Sequence, residues 1–210
     1  MIRMAITTTK YPDSAVKPET RERLLSAAIT LFAEKGYDAT SIREIIDAAG
    51  VTRPALYYYF ENKEALFTHL VQQQFALATA EIDQIFISIA DCPQRLRALA
   101  KTVFKRAKSS PEMLRILLNF FFAPTIDEMR LDKEALGRER FDRIVAIMRE
   151  GVASGEVRGQ PEALALAFSA LVDMHVMATI YDESVLTDEL ADALVDLFLH
   201  GAAPTQKRKK

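Results

Sequence analysis

Between Thr40 and Lys63 the sequence gathers side chains suited to gripping anions and reading hydrogen-bonding edges: Thr40, Ser41, Arg43, Thr52, Arg53, the run Tyr57-Tyr58-Tyr59, and Lys63. Hydroxyls and cationic groups of this kind meet phosphate oxygens. An arginine can also donate two parallel hydrogen bonds to O6 and N7 of a guanine in the major groove. Arg53, at the start of a short predicted helix with Thr52, Pro54 and Ala55, is the first choice for reading a base. Arg43 sits one helical step round from the apolar Ile42, so it points outward and reaches either a base edge or a phosphate. The three tyrosines sweep about 200° of helix surface, so they cannot all be buried against Leu56 and Phe60. At least one phenol faces outward, where it can donate to a phosphate. Lys63, opening the next helix, can neutralise another.

Such groups work only if short helices hold them at a fixed angle. Apolar residues at Leu24, Leu25, Ala28, Ile29 and Phe32 follow the one-face pattern of an amphipathic helix, and Lys35-Gly36 supplies its basic last turn and terminal glycine. The first helix is therefore predicted over roughly Glu19 to Lys35. Ser41 with Glu44 three residues later forms a capping box for a second helix that buries Ile42, Ile45, Ile46 and Ala49 on one side and ends at Gly50. The turn Gly50-Val51-Thr52 leads to a third helix from Arg53 to about Phe60, capped by Thr52 with Pro54 in its first turn. Two short helices joined by a tight glycine turn make a helix-turn-helix. Asn62 caps a long helix from Lys63 toward Ala90. Prolines and glycines then mark helices at Pro93 to Lys108, Pro111 to Phe122, about Asp127 to Ser154, Pro161 to Asp182, and Asp188 to His200. No period-two pattern or internal repeat interrupts this series, so the predicted fold class is all-α.

Over Thr20 to Leu70 the chain resembles the DNA-binding domain of the TetR family of bacterial transcription regulators. The residues that carry the likeness are Leu31-Phe32-Ala33-Glu34-Lys35-Gly36-Tyr37, Thr40-Ser41-Ile42-Arg43-Glu44-Ile45, Ala49-Gly50-Val51-Thr52, and Leu56-Tyr57-Tyr58-Tyr59-Phe60 followed by Asn62-Lys63-Glu64-Ala65-Leu66. The resemblance implies double-stranded DNA as partner, with contacts at Thr40 or Ser41, Arg43, Thr52, Arg53, Pro54, Ala55, Tyr57, Tyr58, Tyr59 and Lys63. Two positions depart from the commonest family pattern: Pro54 stands where many members have Gly, and Ala55 where many have a hydroxyl residue. Ala55 cannot donate a hydrogen bond, though it can touch a thymine methyl, so the family's base preference does not transfer.

The resemblance further implies that the later helices form a dimer seam and a ligand cavity. One short recognition helix reads only a few base pairs, whereas two related by a twofold and spaced by roughly 34 Å read a palindrome, so a homodimer is expected on physical grounds as well. Candidate interface residues are Ala165, Phe168, Val172, Leu190, Leu194, Leu197 and Phe198. Phe86, Phe104, Met113, Phe120, Phe121, Met148, Met174, His175 and Met177 could line a cavity for a small apolar or amphipathic effector, although such residues at helical spacing more often fill a core. The organisation read from the sequence is an N-terminal arm over 1–17, a helix-turn-helix DNA-binding domain over 18–62, an effector-binding and dimerisation domain over 63–203, and a basic tail over 204–210.

Charge supports this division. Residues 1–63 hold 9 Lys or Arg and 8 Asp or Glu, whereas residues 64–206 hold 14 and 21. A relatively basic head on an acidic body is what nucleic-acid contact confined to the head requires. Apolar stretches such as Ala163 to Val172 fall short of the roughly 20 residues that cross a bilayer, and the first ten residues lack the apolar core of a signal peptide, so a cytoplasmic protein with no membrane partner is expected. Cys92 is the single cysteine, and His69, His175 and His200 fall on different predicted helices; no metal and no cofactor is expected. The sequence has no Gly-rich phosphate loop, His-Glu-x-x-His or Gly-x-Ser-x-Gly, so an enzyme is not expected. The expected function is a DNA-binding transcription regulator, a repressor that an effector releases; the alternative is an effector-independent or architectural DNA-binding protein with the same head.

Overall fold

The computed structural model describes residues 18–122, 132–179 and 185–200, and these contain helices and no strand. In chain order the helices are α1 (Pro18–Ala39), α2 (Ile42–Ala49), α3 (Arg53–Tyr59), α4 (Lys63–Ser88), α5 (Cys92–Ser109), α6 (Pro111–Phe122), α7 (Lys133–Ala153), α8 (Pro161–Ala178) and α9 (Asp188–His200). The all-α class is as the sequence predicts.

The described residues form two compact units. One holds residues 18–71 with 115–122, and the other holds 72–114 with the residues from 132 onward. The core of the first unit is Leu24, Ala28 and Phe32 of α1, Ile45 of α2, Leu56 of α3, and Leu66, Phe67 and Leu70 of α4, all buried. The Phe67 ring meets Phe32 edge-on at 5.3 Å and Tyr37 at 5.0 Å, which fixes the α1–α4 packing through favourable aromatic geometry.

Local chemistry sets the boundaries here. Gly36 breaks α1 with φ 81° and ψ 170°, a conformation that a side chain would resist. Ser41 caps α2: its hydroxyl accepts from the Glu44 amide at 3.2 Å while the Glu44 carboxylate accepts from the Ser41 amide at 2.8 Å. Gly50 closes α2 in the left-handed region, and Val51 N–H donates to the Ile46 carbonyl at 3.2 Å. Thr52 Oγ1 accepts from the Ala55 amide at 3.4 Å to start α3.

In the second unit α5 packs on α9 and α7 on α8, around Leu96, Phe104, Ile147, Met148, Phe168, Val172 and Val195. Arg95 is buried there. Its guanidinium donates to the Ile89 carbonyl at 2.5 Å, the Phe86 carbonyl at 2.9 Å and Glu150 Oε2 at 2.7 Å, and lies 4.3 Å from the Phe86 ring centroid. These donors satisfy carbonyls that the end of α4 leaves without helical partners.

Two of the boundaries that differ from expectation bear on residues outside those described. Asp132 caps α7 by accepting from the Ala135 amide at 2.8 Å, so the helix starts at Lys133; the expected start at Asp127 lies outside the described residues. Helix α8 ends at Ala178, where the Thr179 hydroxyl turns back to the Val176 carbonyl at 2.7 Å, and the expected end at Asp182 is likewise outside them. The arm over 1–17 and the tail over 204–210 also lie outside the described residues.

Among the described residues one helix, α8, is long and apolar enough by length and composition to cross a membrane, although its longest charge-free stretch falls short of that length. Its inner face buries Ala165, Phe168, Val172 and Val176 within the unit, while Leu166 and Met174 are 63% and 64% exposed. The sequence-predicted interface is corrected accordingly. Ala165, Phe168, Val172 and Leu194 belong to the core and cannot meet a partner, Leu190 and Phe198 pack partly against that core, and Leu197 is outward-facing. Because α8 is apolar nearly all round, its sequence did not mark which face turns inward.

Candidate nucleic-acid interface

The residues expected to touch DNA divide into outward groups and groups consumed by the fold. Arg43 stands at the start of α2 with its side chain 91% exposed, loosely paired with Asp47 at 3.8 Å. Thr52, Arg53 and Pro54 are exposed at the start of α3. Arg53 lies 5.6 Å from the Tyr57 ring centroid and its Nη2 donates to the Tyr57 hydroxyl at 3.5 Å. The aromatic face and the guanidinium thus preorganise each other, and the remaining guanidinium protons point to solvent. Tyr57 and Tyr58 are 43% and 53% exposed. Tyr59 is half-buried, with its ring 5.0 Å from Tyr58 and 6.4 Å from Phe60. Ser41 is exposed as the α2 cap, and its hydroxyl also donates to Glu44 Oε2 at 2.8 Å.

Three expected contacts are corrected. Thr40 is buried, and its hydroxyl is taken up by the Gly36 carbonyl at 2.8 Å and the Leu31 carbonyl at 3.2 Å; it seals the end of α1. Ala55 is buried beneath α3, so its methyl packs on the core and cannot reach a thymine. Lys63, expected to neutralise a phosphate, directs its ammonium into the protein. Nζ donates to the Tyr37 carbonyl at 2.7 Å and the Thr40 carbonyl at 2.9 Å, with the Asp38 carbonyl at 3.4 Å and the Tyr37 ring centroid at 4.2 Å. Partial burial pulls its pKa below the ordinary lysine value, against a smaller opposing effect of Asp38.

Sequence reading missed the polar ties that hold this surface. Lys35 at the end of α1 bonds Glu44 of α2 at 2.7 Å, and this contact, followed by the Ser41 amide and hydroxyl, holds the Glu44 carboxyl at about 2. Arg21 hydrogen-bonds His69 Nε2, joining the start of α1 to α4. Neither tie follows a local spacing rule, since each partner lies on a different helix.

The expected cavity residues stand in different surroundings. Phe104, Met113, Phe120 and Met148 are buried, Phe86 packs under Arg95, Met177 is half-buried, and Met174 faces outward, which removes it from an internal cavity. His175 Nδ1 is 2.7 Å from the Leu171 carbonyl one helical turn back. The Phe121 side chain lies outside what is described. A groove of about 450 Å³ does open in the second unit, lined by Lys101, Thr102, Phe104, Lys105, Lys108, Ser109, Leu186 and Asp188. Of the expected residues only Phe104 borders it. Among the described residues no cluster of His, Cys, Asp and Glu has the arrangement of a metal site.

Residues 24–70 match the family described as "Bacterial regulatory proteins, tetR family". Over 194 residues the chain is 28% identical to the HTH-type transcriptional repressor KstR2 of Rhodococcus jostii (strain RHA1), covering 91% of this chain and 95% of that one. Among solved structures it resembles the TetR family transcriptional regulator PfmR of Thermus thermophilus (TM-score 0.74, 25% identity, 95% of this chain and 100% of that one). It also shares the fold of the transcriptional regulator FadR of Bacillus subtilis, solved in complex with stearoyl-CoA (TM-score 0.76, 19% identity, 87% and 99%). With the signature helices in place, residues 24–70 form a domain of the tetR family of bacterial regulatory proteins, and the likeness to the repressor runs the length of the chain.

Proposed function

We propose that this protein is a dimeric transcriptional repressor that binds a palindromic operator through its helix-turn-helix and is released from it by a small-molecule effector, acting in the bacterial cytoplasm. The observation that carries the reading is the outward set on α2 and α3: Arg43, Thr52, Arg53, Pro54, Tyr57 and Tyr58 are all exposed, while Ile45, Ala55 and Leu56 anchor the same two helices in the core. Donors and cations outside, apolar anchors inside, is the arrangement that lets a helix enter the major groove while its flanks hold phosphates. In this reading residues 18–62 are the DNA-binding head, and the helices from Lys63 onward serve dimerisation and effector binding.

Helix α3 has seven residues, about 10 Å of rise, so one copy reads only a few base pairs. The exposed apolar stripe Leu166, Ala167, Ala170 and Met174 of α8, with Leu197 of α9, supports a second copy as the source of the other half-site. An effector with an anionic group and an apolar part suits the groove, where Lys101, Lys105 and Lys108 stand near Phe104 and Leu186. The stearoyl-CoA held by the Bacillus subtilis relative is of that chemical type. Helix α4 runs from the head into the second unit and is the element an effector would bias. A coupling of about 1 to 3 kcal/mol would change operator affinity roughly 5- to 150-fold.

The burial of Met113, Phe120 and Met148 favours a second reading, a DNA-binding protein whose solid bundle answers to no effector. Footprinting on DNA flanking the coding region, with and without long-chain carboxylates and acyl thioesters, tests both. A protected palindrome that the ligand clears supports the repressor. Protection that no ligand alters supports the second reading, and no protected palindrome removes the proposal.

A further inference from the structure

We infer that Lys63 is a positioning residue that closes the C-terminal end of α1 and so holds the Thr40–Ser41 turn from which α2 and its outward Arg43 begin. The break at Gly36 leaves the last carbonyls of α1 without the amides of a continuing helix. Thr40 N–H reaches back to the Tyr37 carbonyl at 3.3 Å, and the Thr40 hydroxyl takes the Gly36 and Leu31 carbonyls. The Thr40 carbonyl has no helical amide four residues on, because the Glu44 amide is engaged by the Ser41 hydroxyl.

Lys63 supplies what is missing. An ammonium has three protons, and the Tyr37, Thr40 and Asp38 carbonyls lie 2.7, 2.9 and 3.4 Å from this one, with the Tyr37 ring at 4.2 Å. The ties continue through Ser41 to Glu44, and from Glu44 to Lys35. An ammonium held by these carbonyls is a cross-link between the first turn of α4 and the start of α2.

The proposal bears on the DNA-binding reading, but neither of its tests contains DNA. In the free full-length protein, Lys63→Met keeps the length and apolar stem and removes the donors. Amide hydrogen exchange of Thr40, Ser41, Glu44 and Ile45 is expected to accelerate about tenfold or more, amides of α5 to stay unchanged, and Lys63→Arg to restore at least part of the protection. Equal exchange in Lys63→Met and the native protein overturns the inference. If Lys63→Met does not fold, Lys63→Leu, which likewise lacks donors, takes its place under the same criterion. The second test is the denaturant midpoint of the free protein, which Lys63→Met is expected to lower and Lys63→Arg partly to restore; an unchanged midpoint in the Met variant overturns the inference. Faster exchange in a protein that binds no DNA would leave the cross-link standing and remove only the functional reading.

Discussion

Gly151 lies near the end of α7, where helix propensity and packing pull in opposite directions. A Cβ built there would stand 2.5 Å from Cys92 Sγ, 2.8 Å from Cys92 Cβ and 3.0 Å from Val157 Cγ2. Cys92 opens α5 and is buried, and its Cβ is fixed by the backbone, so the contact cannot be relieved by a rotamer change alone. Overpacking of this kind costs about 1 to 3 kcal/mol, and a backbone-fixed neighbour places it near about 3. Replacing glycine by alanine in a helix returns about 1 kcal/mol. Gly151→Ala is therefore expected to destabilise the protein by about 2 kcal/mol, which for a chain of this size lowers the Tm by about 4 to 8 °C. Thermal unfolding followed by circular dichroism at 222 nm measures it. A double-mutant cycle adds specificity: Cys92→Ala removes the sulfur, so in the Gly151→Ala background it should cost less than in the native one. A Gly151→Ala protein as stable as the native one, or more so, would refute the steric reasoning and leave only helix propensity.

Glu44 is held at about 2, below its ordinary 4.5, by Lys35 and then by the Ser41 amide and hydroxyl. A folded-state value below the unfolded one contributes stability that is full above about 4.5 and is lost as pH falls through about 2; Glu44→Gln should differ from the native protein at neutral pH and converge with it below pH 2, and a pH-independent difference in denaturant midpoints would contradict this. Burial, then Glu156, pushes the Cys92 thiol up to about 11, so an aromatic disulfide reagent at pH 8 should label the folded protein only at its opening rate; rapid stoichiometric labelling would contradict the packing. Leu166→Glu, on the exposed stripe of α8, should shift the sedimentation of the proposed dimer toward monomer with the helix content intact, and a dimer unchanged by it would contradict a seam on this stripe.

The helix-turn-helix was readable in the sequence because its boundaries rest on local chemistry: the Ser41–Glu44 box, the left-handed Gly50 and the Thr52 cap each act within four residues. That Arg43 points outward and that at least one of Tyr57, Tyr58 and Tyr59 does so followed from helical periodicity, whereas which phenols are exposed, Tyr57 and Tyr58, did not. Thr40, Ala55 and Lys63 did not, because their roles are fixed by partners elsewhere in the chain; Lys63 lies 26 residues from the Tyr37 carbonyl it serves. Helix α8 was misread for another reason. A helix apolar on most sides carries little angular signal, so Ala165, Phe168 and Val172 could not be told from the outward Leu166 and Met174 until α7 and α9 were seen packed against one side. The groove lysines carry no signal in the sequence, because Lys105 and Lys108 on a basic helix end do not differ in spacing from solvated charge.

The claim that α3 reads base edges through Arg53 is tested most directly by comparing native protein and Arg53→Ala on a footprinted duplex and on random duplex, by fluorescence anisotropy at one salt concentration. Loss of about 1 to 3 kcal/mol on the footprinted site, roughly 5- to 150-fold, with random binding little changed, is the predicted result. Equal weakening on both duplexes would show that Arg53 holds phosphate alone and that sequence is read by something other than this helix.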